Sequence, residues 1–153
     1  DDTVGSLYFN KLFPLGIEAI KESIELIKQG KAPRIPQDES QATYEGLCTQ
    51  AIINWHQPAQ TIYNLIRGTN PQPGATTNFG DTTFKVFDSE LRTGTARGSP
   101  GEVIEIIESG FLVAAPDGAI LIKRVQPKGS PKITAADFIA QAGLKSGDRL
   151  GDR

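Results

Sequence analysis

At 153 residues, with 38% hydrophobic and 22% charged residues, the chain is long enough to bury a core and sits near globular averages, which excludes disorder overall. The net charge of −2 argues against a strongly nucleic-acid-binding chain, but it is unevenly divided: five basic against eight acidic residues up to Glu45 (net −3), then eleven against ten (net +1). No apolar run approaches the ~18 residues of a membrane span, no secretory signal opens the sequence, and the single Cys48 excludes an internal disulfide or a multi-cysteine metal site. A cytoplasmic protein without membrane contact is the expectation.

Residues 1–30 predict a helix with Thr3 as N-cap, broken or kinked near Pro14. Ile17, Ile20, Ile24 and Ile27 recur at spacings of three and four, which places them on one face, and Gly30 offers a left-handed cap. Residues 31–50 carry Pro33 and Pro36 and no sustained period, and predict a linker that crosses the surface in an extended path. Cys48 lies within it as a bystander thiol. A second helix is predicted from about Gln57 to Gly68, with Pro58 in the first turn, where a missing donor is harmless, and Ala59, Ile62, Tyr63, Leu65 and Ile66 as its buried stripe. Arg67 closes that helix near its negative end as a cap or ion pair, the alternative being a fork for phosphate or carboxylate. His56 reads as a cap or edge residue.

From Ala75 to Val125 the period becomes two. ATTNF, TFKVFDSEL, GEVIEIIE, FLVAA and AILIKRV read as short strands, with turns at Gly80-Asp81, Ser109-Gly110 and Pro116-Asp117-Gly118. Five strands of this length predict a small closed or partly open antiparallel barrel, with Phe79, Phe84, Phe87 and Phe111 in its core. The tail predicts a loop, a helix from about Ala135 to Ala142 capped by Thr134 with Asp137 three residues on, and a final loop or strand through LKSGDRL. The fold class is therefore mixed α+β: an N-terminal helix (1–30), a linker (31–50) and a small antiparallel β-barrel with flanking helices (51–153).

Chemistry-bearing motifs are few. There is no GxxxxGK[ST] loop, no GxGxxG after a strand and no His/Cys cluster at metal-ligand spacing, and a Ser-His-Asp arrangement would have to use His56 without a G-x-S-x-G element. No catalytic residue and no metal ligand are expected. The functional surface to expect is basic. Lys123, Arg124, Lys128, Lys132, Lys145 and Arg149 fall in the last strand, its following loop and the tail, where they could lie on one side of the barrel and hold substrate or RNA; the bland alternative is a solvated face.

The stretch INWHQPAQTIYNLIRGTNPQPGA, through Ile53, Trp55, Ala59, Ile62, Ile66, Arg67, Pro71, Pro73, Gly74 and Ala75, resembles the junction into the C-terminal domain of folate-dependent formyltransferases. Two branches of that family are methionyl-tRNA formyltransferase and the hydrolase domain of 10-formyltetrahydrofolate dehydrogenase. DDTVGSLYFNKLFPLGIEAI is similar to the last helix of the family's catalytic domain, and VQPKGSPKITAADFIAQAGLKSGDRL to its closing strand, loop and helix. The resemblance implies that the barrel is OB-like and that residues 1–30 end an α/β catalytic domain absent from this sequence. Tyr44, Trp55, Arg67, Pro71, Pro73 and Gly74 would then be interdomain or structural residues, with contact to substrate or cofactor as the alternative for Tyr44.

The family's chemistry depends on an upstream Asn, His and Asp, in an H-x-S-L-L-P neighbourhood and a D-x-G segment, and neither motif occurs here. This chain alone is therefore expected to be inactive. The parent enzyme would use 10-formyltetrahydrofolate to formylate an amine acceptor, methionyl-tRNA foremost, while this part binds no cofactor, positions the acceptor and braces the catalytic domain. The implied partners are that catalytic domain, the acceptor arm of a tRNA and, through the N-terminal helix, another copy of the chain. The branch signals conflict: FPLGIEAI and ATYEG resemble the dehydrogenase branch, KITAADF the bacterial tRNA branch, and sugar-nucleotide formyltransferases stay open. A free-standing OB-like module that binds RNA or a protein is the alternative from a different class.

Overall fold

Thr3 opens the first helical turn as a reciprocal cap: its hydroxyl accepts from the Ser6 N–H, and the Ser6 hydroxyl accepts from the Thr3 N–H. The computed structural model describes residues 1–95 and 97–151, in two units, Asp1–Leu47 and Cys48–Arg153. In the first unit, α1 (Val4–Leu7) passes through a wider turn over Tyr8–Leu12 into α2 (Phe13–Lys28). The break expected near Pro14 is this wider turn. Pro14 lies in the first turn of α2, and just before it the Phe13 N–H donates to the Tyr8 carbonyl, five residues back, so the helix continues past a residue that lacks a donor. At the other end Gly30 is left-handed (φ 66°); its N–H donates to Ile27 and that of Lys31 to Leu26, the paired bonds of a glycine C-cap.

Leu12, Phe13, Ile17, Ile20, Ile24 and Ile27 are each between 41% and 65% exposed. Lys21 and Lys28 pair with Glu18 and Glu25 on the polar side. The remainder of this unit has no regular secondary structure apart from a single turn at Glu39–Gln41, begun by the Asp38 carboxylate accepting from the Ser40 N–H.

The second unit is built on eight strands: β1 (Ala75–Phe79), β2 (Thr82–Val86), β3 (Ser89–Thr93), β4 (Val103–Ile107), β5 (Gly110–Ala115), β6 (Gly118–Ile122), β7 (Arg124–Pro127) and β8 (Ile133–Thr134). They form two antiparallel four-stranded sheets, β1-β2-β7-β8 and β3-β6-β5-β4. Two expected strands are each divided. TFKVFDSEL becomes β2 and β3, AILIKRV becomes β6 and β7, and in both cases the chain changes sheet at the division. The two corners lie side by side and stay hydrogen-bonded, Phe87 N–H to Arg124 and Lys123 N–H to Asp88. The bend therefore costs few backbone bonds.

The outer edges, β1 and β4, are joined by the tail. Val103 donates to Asp148, Gly147 to Val103 and Leu150 to Gly101 on the β4 side, while Gly151 donates to Asn78 on β1. The final loop or strand expected of LKSGDRL thus bridges the two sheets, removing exposed edges that would otherwise recruit other strands. Inside, Ile62 and Ile66 of α3 (Ala59–Gly68) and Phe138 of α4 (Ala135–Ala142) join Phe84, Val86, Phe111, Val113, Ile120, Ile122 and Val125 in one core. The Phe138 ring lies 4.5 Å from that of Phe84 and 6.4 Å from that of Phe111. α4 starts at Thr134 as expected, its hydroxyl accepting from the Asp137 N–H. α3 starts at Ala59, later than expected, with Pro58 as its N-cap. No helix among the described residues is long and apolar enough to cross a membrane.

Candidate nucleic-acid interface

Alternation along β1, β2 and β7 sends Ala75, Thr77, Phe84, Val86 and Val125 into the core and turns Thr76, Asn78, Thr83, Lys85, Arg124 and Gln126 outward. The register sets Thr76, Lys85 and Gln126 in one row across the three strands and Asn78 beside Thr83 in the next. Lys128 extends the second row, its N–H donating to the Thr83 carbonyl. No carboxylate occupies an outward position on these three strands, so the face presents ammonium, guanidinium, hydroxyl and amide groups. Two adjoining clefts share Thr76 and Lys85. One, of about 390 Å³, is lined also by Thr83, Gln126 and Lys128; the other, of about 270 Å³, by Gln50, Ile52, Pro73 and Gly74.

The six basic residues singled out in the sequence go to three places. Arg124, Lys128 and Lys132 belong to the β1-β2-β7-β8 sheet and its loop, Lys123 lies at the corner between β6 and β7, and Lys145 and Arg149 belong to the tail segment that joins β4. Their engagements differ. Lys123 Nζ lies 2.7 Å from Glu90 Oε1, and Glu90 also receives Arg92 at 2.8 Å. The hydrogen bond from Lys123, followed by its charge, holds the Glu90 carboxyl below its ordinary range. Arg124 Nη1 stands 3.9 Å from Asp88. Lys132 Nζ sits 3.5 Å above the centre of the Phe87 ring. Lys128 lines the larger cleft. The Lys145 N–H donates to Asp148, and Arg149 donates to the Pro100 carbonyl. Lys85, which stands at the centre of the face, escaped the sequence reading; the alternation of TTFKV was the signal that could have found it.

Trp55 is 3% exposed and donates from Nε1 to the Thr77 hydroxyl at 3.0 Å, so it is a core residue of the second unit. Arg67 donates to the Asn64 side chain and lies over the Tyr63 ring at 5.8 Å. Pro71 and Pro73 each follow a cis peptide bond, and they lead into Gly74, whose N–H donates to Thr69. Gly74 has φ 83°, a conformation that favours glycine, and a Cβ there would crowd the Lys85 stem at 3.0 Å and the Phe87 ring at 3.2 Å. Tyr44 is 97% exposed within the first unit. His56 is exposed, its N–H donating to the Asn54 side chain.

Among the described residues no cluster of His, Cys, Asp or Glu could hold a metal. The face can neutralise phosphates and hydrogen-bond to sugars; it holds no acid–base pair.

The family described as "Formyl transferase, C-terminal domain" matches residues 49–143. Methionyl-tRNA formyltransferase of Moorella thermoacetica is 37% identical over 151 residues, covering 97% of this chain and 48% of that protein. Cytosolic 10-formyltetrahydrofolate dehydrogenase of Homo sapiens is 39% identical over 153 residues, covering 93% of this chain and 17% of that protein. Among solved structures, a variant of HypX from Aquifex aeolicus superposes with a TM-score of 0.74 at 22% identity, covering 95% of this chain and 27% of that one, and HypX in complex with tetrahydrofolic acid gives 0.71 at 20% identity. These last two establish likeness of fold. The chain spans about half the length of the methionyl-tRNA formyltransferases it matches. With the expected junction residues inside the matched region, the chain belongs to the formyl transferase family and carries its C-terminal domain.

Proposed function

We propose that this chain positions the formyl acceptor, a tRNA, for a catalytic domain that uses 10-formyltetrahydrofolate as donor in the cytoplasm, and that the exposed side of α2 with the Tyr44 linker braces that domain. The observation that carries the reading is the outer face of β1-β2-β7-β8, where Lys85, Arg124, Lys128 and Lys132 stand among threonine, asparagine and glutamine without an intervening carboxylate on the three longer strands. Such a face holds a nucleic acid by its phosphates and sugars and fixes its orientation. The relatives named for methionyl-tRNA favour this acceptor. In this reading the catalytic domain, and not these residues, holds the folate. The clefts here are open and lined by threonine and lysine, the sole histidine is exposed, and no transfer step is assigned to these residues.

The reading is tested by anisotropy titration of labelled acceptor-arm RNA against the chain over a range of salt. Weak binding is expected, with a linear log–log salt dependence whose slope flattens by about one unit for each of Lys85→Met and Lys128→Met. The same loss from Lys145→Met, or tight binding indifferent to salt, would place the interface elsewhere.

A further inference from the structure

We infer that Phe87 is a stacking platform for an unpaired RNA base, kept covered by Lys132 until a phosphate draws the ammonium away. The inference rests on the nucleic-acid reading above and adds a preference for unpaired over fully paired RNA.

Phe87 directly follows Val86, the last residue of β2, at the corner where the chain changes sheet, and its position beside Gly74 and under Lys132 puts its ring on the cationic side. Its main chain is held at both ends: the N–H donates to Arg124, and the carbonyl accepts from the Asn70 side chain. The ring edge meets Gly74, which also touches the stem of Lys85, and this puts the ring beside the smaller cleft. The ring face lies under Lys132 Nζ at 3.5 Å, and the residue is 5% exposed. Lys132, which lies on this face, is an exposed side chain from the loop between β7 and β8, which contains Gly129. Phe84 and Phe111, by contrast, are locked in the core against Phe138.

The Lys132 side chain is exposed, so its ammonium is held weakly on the ring, whereas a phosphate offers it a charge-assisted bond. A backbone phosphate that engages Lys85 and Lys132 therefore uncovers the ring at the point where the adjoining base can take the place of the ammonium. Any base has a π-face, so the preference is for an unpaired base of any identity. A paired base is already stacked within its own helix and gains nothing from the exchange.

The test compares a single-stranded RNA carrying 2-aminopurine with a fully paired duplex of the same length, at low salt, using the whole chain and the Phe87→Leu and Lys132→Met variants. Quenching of 2-aminopurine is expected on binding the unaltered chain. Phe87→Leu should weaken single-strand binding about fivefold or more while leaving the duplex unchanged, and Lys132→Met should weaken both and reduce both salt slopes by about one. Absent quenching, or equal weakening of both RNAs by Phe87→Leu, overturns the inference; the quenching arm needs no variant and decides even if Phe87→Leu does not fold. Duplex binding with a normal salt slope but no single-strand preference defeats the inference alone. Failure of both RNAs to bind defeats it together with the tRNA reading.

Discussion

Asp117, in the turn between β5 and β6, accepts a hydrogen bond at 2.7 Å from the backbone N–H of Ala59, the first residue of α3. Pro58 precedes that N–H and has no side-chain acceptor, so the helix takes its cap from a strand turn far along the chain. A negative group at this end also opposes the helix dipole. Asp117→Ala should lower the stability of the second unit by about 0.5–2 kcal/mol, and Asp117→Asn by less because an acceptor remains. A urea midpoint for Asp117→Ala equal to the parent's would show that water replaces the bond without loss.

The same unit contains the single tryptophan of the chain, which makes it self-reporting. Trp55 Nε1 donates to the buried hydroxyl of Thr77, and both residues are at most 3% exposed. Trp55→Phe strands the hydroxyl, and Thr77→Val strands the indole N–H, each costing about 1–3 kcal/mol. The double variant leaves neither group unpaired and should recover part of the sum, which a double-mutant cycle measures. In the unaltered chain, tryptophan emission should shift red in one step with the unfolding of residues 48–151 and be indifferent to changes in α2.

Five strand segments were legible from their period of two, and so were the cap of α4 and the Gly30 stop, because each signal is local. The two sheet-changing corners were legible in principle. Inward residues fall at Phe84 and Val86 and then at Leu91, and again at Ile120 and Ile122 and then at Val125, so the alternation slips phase at the very places where the chain changes sheet. The Asp117 cap was not legible, since its partner lies 58 residues away. Nor was the centre of the basic face: Lys85 sits one strand over from the basic cluster near the end of the chain and reaches Gln126 only through register.

Acid should loosen the corner between β3 and β6. The Glu90 carboxyl is held below its ordinary value of 4.5, first by the hydrogen bond from Lys123 and then by its charge. A depressed folded value contributes stability above the unfolded value, and that contribution is lost as pH falls through the folded one. The loss therefore begins near pH 4.5 and proceeds downward, and it is small because the pair is exposed. Carboxyl-carbon NMR of Glu90 should show a low midpoint that Lys123→Met moves up; an unmoved midpoint would sink the assignment to Lys123.

Barrel closure can be tested at Gly101. Its φ is 85°, and a Cβ there would stand 2.7 Å from the backbone carbonyl of Leu150, whose N–H donates back to Gly101. Backbone on both sides leaves little room to yield, so Gly101→Ala combines strain with a clash and should cost more than about 1 kcal/mol. Hydrogen exchange should accelerate at Val103, Leu150 and Gly151, the amides that join the tail to β4 and β1. Acceleration spread evenly through β5 and β6 would mean that the tail is no separate latch.

The helical unit should self-associate through its apolar side. Ile17, Ile20, Ile24 and Ile27 lie on one side of α2 at 41–65% exposure, and full burial of each is worth about 1.5–3 kcal/mol. A contiguous apolar side of this size drives association when the domain that would brace it is supplied separately or not at all. Light scattering of the chain should therefore show a concentration-dependent dimer or larger species. Ile20→Glu with Ile24→Glu should return it to a monomer, because two carboxylates placed in the seam cannot be buried without partners. Tryptophan emission from Trp55 should stay unchanged, since the substitutions lie in the other unit. A chain that is monomeric at every concentration, before and after the change, would show that this side of α2 recruits no second copy.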